Sequence, residues 1–231
     1  MEILKNNLFL IAVTFGVFHI AKVAQRKTGL VLLNPVLFSI AAIIIFLQLF
    51  DISYEDYEKG GNYIEFWLKP AVVALGVPLY MQLDAIKKQA WPILASQLAG
   101  CLVGIFSVVL VARLLGATRE VVVSMAAKSV TTPIAMEITK QVNGIPSLTA
   151  AVVVCTGLLG AMIGFSVLKL GWVRNPISQG LSMGTASHAI GTSAALEVSQ
   201  RYGAFSGLGL TINGILTAIL TPYILQWMGY L

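Results

Sequence analysis

The chain has 231 residues, of which 57% are hydrophobic and only 11% charged, with a formal net charge of +5 and a mean hydropathy of +0.85. A soluble domain carries about 25% charged residues, so the polar surface needed to coat a soluble globule is missing here. The basic residues are scattered among short loops, which excludes a nucleic-acid surface and leaves the excess charge to orient the chain in a lipid bilayer.

Stretches 31–50, 92–112, 141–168 and 202–231 carry no Asp, Glu, Lys or Arg. Each is long enough to cross a hydrocarbon core of about 30 Å. The first apolar run, "NNLFLIAVTFGVFHIA", is followed by the basic "KVAQRK" rather than a small-residue cleavage site. It therefore reads as a transmembrane helix, not a cleaved leader. In chain order the pattern predicts helix 1 at 6–22, helix 2 at 30–50, an acidic and aromatic loop "DISYEDYEKGG" at 51–61, helix 3 at 63–83 and helix 4 at 91–113. An irregular polar segment (119–145), helix 5 (146–169), a second irregular segment (178–200) and helix 6 (204–229) follow. The expected fold is an all-α integral membrane protein, one polytopic domain over 1–231, with about six transmembrane helices and two broken or re-entrant elements.

Orientation follows the Lys/Arg bias of short loops. Placing Lys22, Arg26, Lys27, Lys87 and Lys88 inside puts the N-terminus and the acidic loop outside. If the two polar segments return to the side they enter from, Lys169, Arg174 and Arg201 also fall inside. That gives eight basic residues inside against Lys5, Lys59, Arg113, Arg119 and Lys140 outside. Full crossings place Lys169 and Arg174 outside, and the sequence leaves both arrangements open. The hairpin arrangement makes 119–169 and 178–229 an inverted repeat, a recurrent design of secondary transporters.

The first polar segment contains "AAKSVTTPIAMEITKQVNGIP" (126–146), where Pro133 cannot continue a helical ladder. Broken backbone at membrane depth needs protein or a water-filled cavity to satisfy its freed groups, and Ser129, Thr131 and Thr132 crowd the break. The second, "GLSMGTASHAIGTSAALE" (180–197), holds twelve Gly, Ser, Thr or Ala residues among eighteen. Gly184 and Gly191 stand there as further candidate breaks, with Thr185, Ser187, Thr192 and Ser193 as donors around His188. Two helix starts with free N–H groups, hydroxyls and the nearby Lys128 suit a small carboxylate. A second reading of the same residues is structural. Small residues allow tight helix packing, Lys128 snorkels to the interface, and His188 is a satisfied buried imidazole. Glu137 and Glu197 read as interfacial.

"KPAVVALGVPLY" (69–80) reads as a helix kinked by Pro70, Gly76 and Pro78. Tyr54, Tyr57, Tyr63, Trp67, Trp91, Trp172 and Trp227 lie near segment ends, as an interfacial belt requires. Cys101 and Cys155 fall inside apolar segments and read as small hydrophobes. With two histidines far apart and no HExxH, P-loop, CxxC or GxSxG, the sequence predicts neither an enzyme nor a metal or other cofactor.

"KSVTTPIAMEI" (128–138), "GLSMGTASHAIGTSAALE" (180–197), "LNPVL" (33–37) and "LKPAVVALGVPLY" (68–80) resemble the LrgB/CidB family of bacterial membrane proteins, along essentially the whole chain. That resemblance implies a multi-pass protein of the bacterial cytoplasmic membrane, commonly described as antiholin-like or as a modulator of murein hydrolase activity and autolysis. It also implies a smaller LrgA/CidA-type membrane partner and a homo- or hetero-oligomer. A plant relative is the plastid glycolate/glycerate transporter, some bacterial pairs are described as pyruvate facilitators, and the family is grouped with cation–proton antiporter and anion transporter folds. The expectation is a transporter or facilitator of small monocarboxylates of the pyruvate, lactate, glycolate or glycerate type. In it Lys128 attracts the carboxylate, the hydroxyls hold it, and His188 donates to the substrate or carries a coupled proton. The alternative is an antiholin-like regulator that acts by membrane assembly.

Overall fold

The computed structural model describes residues 6–28, 34–67, 70 and 76–231, without the side chains of residues 65, 76, 78 and 79. Among the described residues every regular element is a helix, and four helices are long and apolar enough to cross a membrane. The chain divides into two compact units, 1–75 and 76–231.

In the first unit, α1 (Asn7–Thr28) packs against α2 (Pro35–Leu49) and α3 (Tyr54–Phe66). Helix α1 outruns its predicted end at residue 22, so Arg26 and Lys27 occupy its last turn, where cations complement the helix dipole. The Asn34 side chain accepts hydrogen bonds from Val36 N (3.0 Å) and Leu37 N (3.3 Å), and Pro35 follows at the first helical position. The acidic stretch expected as a loop is instead mostly helical. Ser53 Oγ accepts from Asp56 N at 3.2 Å, Glu55 and Asp56 sit in the first turn, and Asp56 pairs with Lys59 at 2.9 Å. The hydrogen bond from Lys59 to Asp56 holds that ammonium above its ordinary pKa. Tyr57 OH meets Thr14 Oγ1 at 3.0 Å, which fixes α3 on α1. The predicted helix 63–83 is not continuous, because α3 ends at Phe66. Lys69 and most of the predicted kink lie outside the described residues.

The second unit opens with two short helices, α4 (Gly76–Met81) and α5 (Leu83–Lys88), before the long α6 (Ala90–Leu114). The first polar segment follows as α7 (Arg119–Met125), a turn at 126–131 and α8 (Thr132–Gln141). At about 1.5 Å per residue these limbs are about 10 and 15 Å long, too short to span a bilayer. The segment goes in and comes back. Ile145 N donates to Ser124 Oγ at 2.7 Å, and Thr149 Oγ1 donates to Ser124 O at 2.8 Å while meeting Thr139 Oγ1 at 2.8 Å. Residues 124 and 145 therefore lie side by side, as the limbs of a re-entrant hairpin require. Pro133, in the first turn of α8, starts the returning limb rather than interrupting a helix.

After α9 (Pro146–Leu170), the second polar segment forms α10 (Pro176–Val198). Asn175 Oδ1 caps it from Ile177 N at 2.8 Å, with Pro176 next, the same Asn-Pro start as α2. The helix breaks at one residue, His188, with φ 43° and ψ −136°. There the chain doubles back. A Cβ on Gly191 would lie 2.6 Å from both Met183 O and Ser187 Cβ, although residues eight apart in a straight helix are about 12 Å apart. Gly184 and Gly191, expected as breaks, have helical backbone. Their missing side chains are needed for close approach, Gly191 to the opposite limb and Gly184 to Ser206 O of α11 (Gln200–Trp227).

The hairpins enter from opposite ends of the unit. At one end Arg119 Nε donates to Tyr230 O at 2.7 Å, and Val108, Val109 and Ala112 of α6 pack with Val122, Val142, Ile224 and Leu225. At the other, Ile93, Ile177, Leu181 and Phe205 form a separate cluster. Each hairpin is followed by a long apolar helix, α9 or α11.

Two outcomes are expected. Gly184→Ala forces a methyl into Ser206 O and costs about 1–3 kcal/mol, while Gly207→Ala, which meets nothing within 4 Å, is neutral or mildly stabilising. Thermal unfolding in detergent compares them. Single cysteines replacing Arg119 and Arg174, in a Cys101→Ala/Cys155→Ala background, label with an impermeant maleimide from opposite sides of a sealed vesicle.

Candidate functional site

The hairpin tips, 128–131 and 187–189, are joined by two side-chain contacts. Asn213 of α11, 1% exposed, donates from Nδ2 to Ser129 O at 3.3 Å and to Thr185 O at 3.0 Å. Both carbonyls lie at helix breaks, so one amide satisfies acceptors from each hairpin. His188 Nε2 lies 2.9 Å from Val153 O of α9, and because a carbonyl only accepts, Nε2 carries the proton. Val153 also packs with Ala127, Val130, Ala135 and Ile138 of the first hairpin, so α9 touches both tips. Gly157 makes room for the imidazole: a Cβ there would lie 2.6 Å from His188 Cε1.

Beside the tips is a cavity of about 360 Å³, walled by α6 (Ser96, Gln97, Gly100, Val103, Gly104), the first tip (Lys128, Ser129) and the first limb of α10 (Ser178, Leu181, Ser182, Thr185, Ala186). Lys128 is the single charged residue in this wall, and Nζ donates to Ser129 Oγ at 3.1 Å. Among the described residues it makes no ion pair, and Glu137 pairs instead with the exposed Lys140 at 3.6 Å. Thr185 Oγ1 donates to Gln97 Oε1 at 2.6 Å and also lies 2.7 Å from Leu181 O. A cavity lined by one cation, several hydroxyls and apolar carbon accepts a small anion with an apolar body.

The nine expected binding residues separate into three groups. Lys128, Ser129 and Thr185 line the cavity. Ser187, His188 and Thr192 are buried in the scaffold. Ser187 lies against Gly160, and Thr192 Oγ1 donates to His188 O (2.9 Å) and meets Ser206 Oγ (2.9 Å). Thr131 stands at the N-cap position of α8 without a side-chain cap bond and Thr132 begins the helix, both off the wall, and Ser193 is exposed with its hydroxyl on Ala189 O. His188, expected as a substrate donor or proton carrier, has its Nε2 on Val153 O of α9 and is not among the residues that wall the cavity. Gln97, Ser96, Ser178, Ser182 and Asn213 are the wall and hinge residues the sequence reading passed over. Their signal was present: Ser178, Ser182 and Thr185 recur at i, i+4 and i+7, and Gln97 and Asn213 are amides inside the charge-free runs 92–112 and 202–231.

A family model described as the LrgB-like family matches residues 14–227. The chain belongs to the LrgB-like family. It is 34% identical to the antiholin-like protein LrgB of Bacillus subtilis over 230 residues, covering 99% of this chain and 100% of that relative. It is likewise 34% identical to the holin-like protein CidB of Staphylococcus aureus over 218 residues, covering 94% and 95%. The antiholin-like protein LrgB of Bacillus cereus is 32% identical over 205 residues, covering 89% of each chain. No solved structure matches it. With four apolar spans and bacterial relatives along its length, this LrgB-like chain is a multi-pass membrane protein.

Asn213→Leu leaves the Ser129 and Thr185 carbonyls unpaired, and each buried orphan costs about 1–3 kcal/mol. The expected result is a lower unfolding temperature together with faster amide exchange confined to 126–131 and 185–190.

Proposed function

We propose that this chain acts in the bacterial cytoplasmic membrane as an antiholin- or holin-like regulator of murein hydrolase activity and autolysis, assembling with a small LrgA/CidA-type partner. The observation that carries this reading is end-to-end similarity to an antiholin-like protein, 34% over 99% of the chain. The names of the relatives support it better than they support solute transport. The test is detergent-induced lysis of cells lacking their own copy, complemented with this chain and its partner. A several-fold change in lysis rate is expected, and an unchanged rate overturns the reading.

A second reading, facilitated transport of a small monocarboxylate, is favoured by one feature: a cavity with a lone cation beside two opposed re-entrant tips. Autolysis is a cellular phenotype, and movement of a carboxylate with a coupled proton alters membrane energetics, so transport could act beneath regulation. A holin-like pore needs only amphipathic spanning helices; two internally broken elements are more than it requires. In this reading Lys128 attracts the carboxylate while Ser129 and Thr185 bond it. The end bearing Lys87, Lys88, Lys169, Arg174 and Arg201 faces the cytoplasm, against Arg113, Arg119 and Lys140 at the other. In this reading the N-terminus lies outside, with Lys22, Arg26 and Lys27 inside. Proteoliposomes with and without the partner and a pH gradient should take up labelled pyruvate or glycolate saturably. Lys128→Ala should abolish uptake in folded protein, and uptake of unchanged affinity removes Lys128 from the site.

A further inference from the structure

The α6 wall of the cavity holds an amide whose position the transport reading does not use. Gln97 is 2% exposed within the charge-free run 92–112 of α6. Its Oε1 is occupied by the Thr185 hydroxyl at 2.6 Å. Its Nε2 makes no hydrogen bond among the described residues, yet it is not sealed from all accessible space, since Thr221 Oγ1 is the buried atom in that state. The residue lines the cavity, and Nε2 is the end of its amide that no described residue engages. Gly100, one turn along α6, has no side chain between this helix and Thr185; a Cβ there would lie 3.1 Å from Thr185 Cγ2. The hydroxyl can thus reach the amide, and with its proton on Oε1 it leaves Nε2 as the free end.

A buried donor without a partner is costly unless something else occupies it. Here two kinds of donor, the Lys128 ammonium and the Gln97 amide, bound the same cavity, and no carboxylate shares its wall. An ammonium is a point charge that holds any anion, whereas an amide NH₂ on a pinned carbonyl is directional. We infer that Gln97 is a binding and specificity-determining residue of the cavity. Its Nε2 donates to one oxygen of a bound small carboxylate whose charge Lys128 balances, and Thr185 acts through Gln97 as a positioning residue. This rests on the transport reading of the cavity and assigns it a residue that reading lacks.

The test is initial-rate uptake of labelled pyruvate into proteoliposomes by the wild type, Lys128→Met, Gln97→Met, Gln97→Glu and Thr185→Val, with the partner present and each variant monodisperse. Gln97→Met keeps the length and removes the donor, so KM is expected to rise about tenfold with little change in maximal rate, about 1.4 kcal/mol by the tenfold relation. Gln97→Glu places a like charge against the carboxylate, so inhibition of uptake by acetate should be lost. Thr185→Val should raise KM by less than Gln97→Met. If the variants fold poorly, Ser182→Cys with Gln97 intact gives a second measurement: pyruvate should protect that cysteine from maleimide, and the protection should vanish with Lys128→Met. No saturable uptake and no protection in the Gln97-containing protein sinks the transport reading and this inference together. Saturable uptake lost in Lys128→Met but with KM within twofold of wild type in both Gln97 variants overturns the role of Gln97 alone.

Discussion

One carboxamide joins the two halves of the second unit. A membrane interior offers no water to a broken helix, so each break leaves carbonyls that must find protein donors. Asn213 supplies them to both breaks at once, to Ser129 O and Thr185 O, from a spanning helix that belongs to neither hairpin. His188 performs the complementary task. It occupies the backbone position where the second hairpin reverses and ties that reversal to α9 through Val153 O. A positive φ on a residue with a Cβ is strained, and the strain is sustained by the Val153 bond and by the Thr192 hydroxyl on the His188 carbonyl.

The glycines follow from this pinning. Tips held together in the unit's interior bring α9 and α11 against the limbs of α10 at backbone distance, and side chains there would collide. Gly157, Gly160 and Gly164 face His188, Ser187 and Met183 in turn, while Gly180, Gly184 and Gly209 pack α10 on α11. The small-residue content of 180–197 is thus the packing solution for a doubled-back helix wedged between two spanning ones. Its hydroxyls mostly satisfy backbone, and only its first limb reaches the cavity.

Polarity is concentrated where the chain is least regular. The cavity takes its charge from the turn of the first hairpin and three of its five hydroxyls from one stripe of the second. Both helix starts near the tips, α8 and the returning limb of α10, carry the positive end of a helix dipole, which agrees in sign with Lys128. The family relationship names a cellular role, regulation of holin type. The cavity describes a chemistry, one cation and several hydroxyls against apolar carbon.

Much of this was written in the chain itself. Charge-free runs of bilayer length specified the long α6, α9 and α11 to within a few residues, because hydropathy over a span is a local property. Pro133 and the hydroxyls around it marked the first break, and the 128–138 and 180–197 motifs identified the family. Contact decided the rest. Nothing local distinguishes a crossing from a hairpin; that needed Ile145 to meet Ser124, and Gly191 to meet Met183. Glycine spacing pointed to breaks at 184 and 191, but the reversal falls on His188, because Val153 of another helix holds it there. The acidic stretch near 54 became a helix through Ser53 capping and the Tyr57 contact with α1. Only the packed structure showed that Gln97, Ser178 and Ser182 share a wall with Lys128, since a cavity is a relation between helices that no single segment encodes.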